Sequence, residues 1–84
     1  MFTQEHKETL KQLSKDSHDY FEVTEGEHPE LVALLNDVLQ GEFMQLTINK
    51  RCYLVQQDTY DFVGYRMVTF INLLTIKTVN LADL

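Results

Sequence analysis

An internal disulfide is the first thing this sequence excludes, because Cys52 is its one cysteine. A lone thiol among strand-forming residues reads as a small buried hydrophobe rather than a nucleophile. Proline and glycine are almost as scarce. With Pro29 alone and three glycines in 84 residues, there is no glycine-rich loop to cradle a phosphate and no Pro- or Gly-rich linker. Long hydrophobic runs are also missing. The longest uncharged apolar-rich stretch, Met67 to Ile76, has ten residues and includes Thr69, Asn72 and Thr75, well short of the roughly 20 that a membrane-spanning helix requires. The opening MFTQEHKETL has no basic start followed by an apolar run, so no secretory signal is read there and a soluble, cytoplasmic chain is expected.

Cations are the scarcer charge. Seven Lys and Arg stand against 13 Asp and Glu, a net charge of −6. The imbalance sits at one end, since residues 1–42 hold ten acids and three lysines, and Asp16 to Glu30 holds six acids with no cation. Binding to a phosphate backbone depends on cations that displace condensed counterions, so this half is not expected to touch nucleic acid. Lys50, Arg51 and Arg66 do lie among Tyr53, Tyr65 and Phe70, a mixture that stacks bases when one sheet face displays it. In so acidic a chain, those aromatics read as core.

What is present is two helical patterns and a β-rich remainder. Thr3 to Ser17 is rich in helix formers, with Thr3 as candidate N-cap and a thin stripe of Leu10 and Leu13. Tyr20 to Val23 fits an edge strand or the apolar anchor of a loop. A second helix is expected over Pro29–Gln40, with His28 at the N-cap, Pro29 in the first turn and Gly41 as a left-handed terminator. Leu31, Leu34, Leu35, Val38 and Leu39 give it a full apolar face. Phe43 to Gln57 reads as a β-hairpin around Asn49, Lys50 and Arg51, with Met44, Leu46 and Ile48 on one face. A two-residue turn would pair Ile48 with Arg51, whereas a three-residue loop pairs it with Cys52. The longer loop is the expectation because it keeps Arg51 off the apolar face. Gln56 to Asp61 is polar enough for a turn. Phe62 to Ile71 and Leu73 to Leu81 read as strands broken at Asn72, rather than as a helix with a Val63, Met67, Phe70 and Leu74 seam.

These elements imply a single α+β domain over 1–84, divided into an acidic helical half (1–41) and a β-rich apolar half (42–84). Two N-terminal helices would pack on a small antiparallel sheet of three to four strands.

Little of this carries reactive chemistry. His6, His18 and His28 show none of the zinc spacings, and Asp58 with Asp61 is the composition a turn uses as well as an acid–base pair. Neither catalysis, cofactor nor metal is therefore expected; Asp58, Asp61 and Cys52 are the positions to test for it. The functional expectation is a non-enzymatic protein-binding or adaptor module, dimerising with itself and engaging another protein, with no nucleic-acid or membrane partner. Candidate contacts are Tyr65, Met67, Phe70 and Leu73 in the apolar C-terminal region and Asp16, Asp19, Glu22, Glu25 and Glu27 on the acidic side. The alternative is an acidic inhibitor or DNA mimic that blocks a basic nucleic-acid-binding site of a partner protein.

Overall fold

Thr3 offers a hydroxyl where a starting helix leaves amide protons unsatisfied, and the chain turns helical there. In the computed structural model, which describes residues 2–60 and 64–76, Thr3 Oγ1 accepts from the His6 amide and His6 Nδ1 accepts from the Thr3 amide, both at 3.2 Å. This reciprocal cap opens α1, Gln4–Asp16, which buries Leu10 and Ser14. Strand β1, Tyr20–Thr24, follows with Phe21 and Val23 turned inward. Helix α2 spans Pro29–Leu39, one residue shorter than the sequence suggests. Gln40 itself takes the left-handed conformation (φ 50°) and donates its amide to Asn36 O, with Gly41 following at φ 80°. The apolar face is also rotated from the expected one. Leu31, Val32, Leu35 and Leu39 are buried, whereas Val38 is 51 % exposed, because a compact arc of the helix includes Val32 and leaves Val38 on its flank.

The hairpin of β2, Met44–Ile48, and β3, Arg51–Tyr60, corrects the expected three-residue loop. Its turn has two residues. Asn49 and Lys50 lie at φ 52° and 63°, and Ile48 faces Arg51, Leu46 faces Tyr53 and Met44 faces Val55. Two positive φ values make the turn that matches the right-handed twist of the flanking strands, and asparagine tolerates that conformation well. Asn49 Nδ2 is further tied to Lys11 O at 2.9 Å. Arg51 does lie on the inner face, where its guanidinium donates to Ser14 Oγ. Gln56 to Tyr60, expected as part of a turn, instead extends β3 and pairs in unbroken register with Tyr65–Thr69 of β4 (Tyr65–Asn72). Asp61 lies outside the described residues.

Strand β4 agrees with the strand reading of its segment, of which Phe62 and Val63 lie outside the described residues. Leu73 to Leu81 does not open as a second strand. Leu73–Ile76 forms the short helix α3, because Asn72 Oδ1 accepts the Leu74 amide at 3.0 Å while the Asn72 amide is spent on Asp19 O. Residues 77–84 lie outside the described set.

The sheet order is β1-β4-β3-β2, with every neighbour antiparallel. The fold is α+β, but the helices are not both N-terminal to the sheet, since β1 separates them and α2 lies between strands. Three strand spacings of about 4.8 Å separate the two edges. Eleven helical residues rise roughly 16 Å, enough for α2 to carry the chain across. Register puts Phe21, Phe70, Val55 and Met44 in one row and Val23 with Val68 in the next. These residues join Leu10, Leu31, Val32, Leu35 and Leu39 in a single cluster, so both helices cover the same sheet face. Phe21 stacks on Phe70 with centroids 4.5 Å apart, and Tyr53 meets Phe21 edge-on at 5.3 Å.

Candidate functional site

Polar groups inside this core join in a hydrogen-bonded network. Ser14 is fully buried, and its Oγ lies 2.7 Å from Tyr53 Oη. Tyr53 Oη donates to His18 O at 2.9 Å, so the Ser14 hydroxyl donates to tyrosine and accepts from the Arg51 guanidinium at 3.2 Å. Asn72 Nδ2 adds a second donor to His18 O. The Ser14 and Tyr53 hydroxyls each have both a donor and an acceptor role filled. The network ties α1, β3 and the segment before β1 together, and both of its hydroxyls are engaged.

The other reactive side chains are dispersed. Cys52 is half-buried and donates weakly to Gln45 Oε1 at 3.9 Å. Asp58 sits within β3 and accepts its neighbour's amide from Thr59. His6 is engaged as a helix cap, and His28 lies at the N-cap of α2 without a side-chain capping bond. His6 and His28 line a cleft of about 230 Å³ with Glu5, Thr9 and Glu30. Among the described residues no group of three or more His, Cys, Asp or Glu is arranged to hold a metal.

The acidic candidates follow β1. Asp16 closes α1, and Asp19, Glu22, Glu25 and Glu27 lie on or beside the strand. Glu25 is not a free charge. Its carboxylate accepts the Arg66 backbone amide at 3.0 Å and the guanidinium at 3.2 Å, the one ion pair among the described residues. The backbone hydrogen bond, reinforced by the guanidinium, holds the Glu25 carboxyl below the usual glutamate range. Of the apolar candidates, Tyr65 is exposed and Leu73 half-buried, but Met67 is buried and Phe70 has no exposed surface. Tyr53 and Phe70 are core rings, so no base-stacking face is assembled from them.

The two sheet edges differ in a way that matters for binding. An edge strand presents unpaired amides and carbonyls, and proteins usually guard it with charge. Edge β1 contains Glu22 and is flanked by Asp19 and Glu25. Edge β2 is MQLTI, with no charged residue, and β3 is its sole partner among the described residues. Beside β2 lies an apolar groove of about 270 Å³ between α1 and the strand, floored by Phe2, Leu10, Met44, Leu46 and Ile48. Lys7 and Lys11 of α1 also line it, and neither makes an ion pair among the described residues. At the entry to β2, Phe43 is 68 % exposed.

None of these groove residues except Met44, Leu46 and Ile48 stood out as a group in the sequence, and those three read simply as a core face. The signal that would have found the site is the uncharged strand, which acquires meaning only once β2 is known to be an edge. No described helix is long and apolar enough to cross a membrane. Comparison with protein-family models, curated proteins and solved structures finds no match to this chain.

Proposed function

We propose that this chain is a non-enzymatic protein-binding module that takes an extended segment of a partner protein along the edge of β2 that no other described strand pairs. The observation that carries the reading is an uncharged edge strand with an apolar groove running beside it. Strand addition uses both at once: the edge supplies main-chain hydrogen bonds, and every second side chain of the incoming segment faces the groove. The filled hydrogen bonds of the Ser14 and Tyr53 hydroxyls also support a binding rather than catalytic role.

The reading is tested by selecting random linear peptides on phage against the purified chain and mapping the winners by amide hydrogen exchange. Protection concentrated in Met44–Ile48 is the expected result. Leu46→Lys puts a charge into the groove and should abolish selection while leaving the circular dichroism spectrum unchanged. Winners that protect other segments, or that bind the Leu46→Lys chain equally well, would refute the β2 site.

A further inference from the structure

We infer that the segment recognised at β2 is acidic as well as apolar: an extended peptide whose alternate side chains put apolar groups into the groove and a carboxylate under Lys7 and Lys11. This deepens the reading above and rests on it. In a chain of net −6, the groove is lined by two lysines one helical turn apart on α1. Neither makes an ion pair among the described residues, whereas Arg66, on β4, is paired with Glu25. Lys50, at the hairpin turn, is exposed and makes no ion pair among the described residues either.

Geometry makes the two demands compatible. Lysine stems can lie over apolar surface while the ammonium reaches its edge, so Lys7 and Lys11 extend the groove wall and also offer charge above it. Alternate residues of a strand recur about every 6.6 Å, and Lys7 and Lys11 are about 6 Å apart along α1. An inward apolar residue over Met44 and Leu46, followed two positions later by Asp or Glu, therefore meets both features. A second copy of this chain is the less suited occupant. Its own β2 has no acidic residue to offer, and a two-fold pairing of the edges would bring these lysines of both copies to one seam.

The experiment compares the phage-selected peptides, and synthetic versions of the best one, against the wild-type chain and the Lys7→Glu/Lys11→Glu variant. Both lysines are surface positions outside the core cluster, so the variant should fold. Enrichment of Asp or Glu at an inward position next to an apolar one is expected. So is a loss of affinity of about tenfold or more in the charge-reversed chain, from two lost attractions and two new repulsions. Replacing the peptide carboxylate with Lys should restore binding to the variant. Binding should also weaken as salt rises from about 0.05 to about 0.5 M.

Peptides that map to β2 with no acidic preference and bind the variant equally would overturn this inference while leaving the β2 reading intact. Failure to enrich any peptide over the Leu46→Lys chain would overturn both. Sedimentation velocity provides the remaining outcome: a dimer abolished by Leu46→Lys would assign the edge to a second copy and reject the peptide.

Discussion

Tyr53→Phe isolates the buried hydroxyl chain while sparing the aromatic core. The ring keeps its edge contacts with Phe21 and Phe70, so the substitution removes one oxygen and no packing. His18 O loses a donor but keeps Asn72 Nδ2 at 3.2 Å. Ser14 is worse placed, because its fully buried hydroxyl loses the acceptor at 2.7 Å. An unsatisfied buried donor costs about 1–3 kcal/mol, and that is the predicted loss of stability. In a domain of this size each kcal/mol lowers the melting midpoint by about 4–8 °C. Urea unfolding of wild type, Tyr53→Phe, Ser14→Ala and the double variant provides the assay. Removing the serine hydroxyl from the Tyr53→Phe chain should cost less than removing it from wild type, with a coupling of at least about 0.5 kcal/mol. Purely additive effects, or a Tyr53→Phe chain within about 0.3 kcal/mol of wild type, would refute the claim that these hydroxyls act as one unit.

Three further outcomes are expected. Leu35→Ala should cost about 2–5 kcal/mol because Leu35 is fully enclosed, whereas Val38→Ala should change stability by less than about 0.5 kcal/mol; equal effects in chemical denaturation would place the wrong face of α2 inward. Lys50→Gly should raise stability by up to about 1 kcal/mol, since a non-glycine residue at φ 63° carries left-handed strain; a lower melting midpoint would contradict the two-residue turn. For Glu25, a folded-state pKa below the unfolded one means that its contribution is fully present above the unfolded pKa and is lost as pH falls through the folded value. The stability gap between wild type and Glu25→Gln should therefore be constant above about pH 5 and close as the solution is acidified through the carboxylate range. A gap that widens on acidification would show that the Arg66 contacts do not favour the ionised form.

Local chemistry was legible without any structure. Thr3 marked the start of α1 because a hydroxyl there satisfies an orphan amide, and Pro29 marked the start of α2 because its missing donor costs nothing in a first turn. The alternation of Met44, Leu46 and Ile48 marks the inner face of β2, whereas Asn72, expected as a break between two strands, is the last residue of β4 and is followed by a helix. Where the reading failed, a tertiary contact outweighed the local signal. Hydrophobicity alone would keep Arg51 off the apolar face, but Ser14, 37 residues away, gives its guanidinium a partner there. Gln56–Tyr60 looked like a turn by composition and is a strand because Tyr65–Thr69 lies alongside it. The helix stripe was off by one flank because the sheet below, rather than the helix alone, selects which arc is buried.

The candidate site divides along the same line. Composition and spacing alone make MQLTI an uncharged strand with one apolar face, make the chain acidic, and put Lys7 and Lys11 one turn apart on α1. Each depends on nearest neighbours or on spacing within a single element. Long-range pairing, by contrast, inserts β4 between β1 and β3 and leaves β2 at the edge, and packing of α1 beside β2 forms the groove that Lys7 and Lys11 line. Strand order comes from pairing between residues far apart in sequence, such as Phe21 with Phe70. An edge is therefore a property of the assembled sheet, and no periodicity within the strand records it.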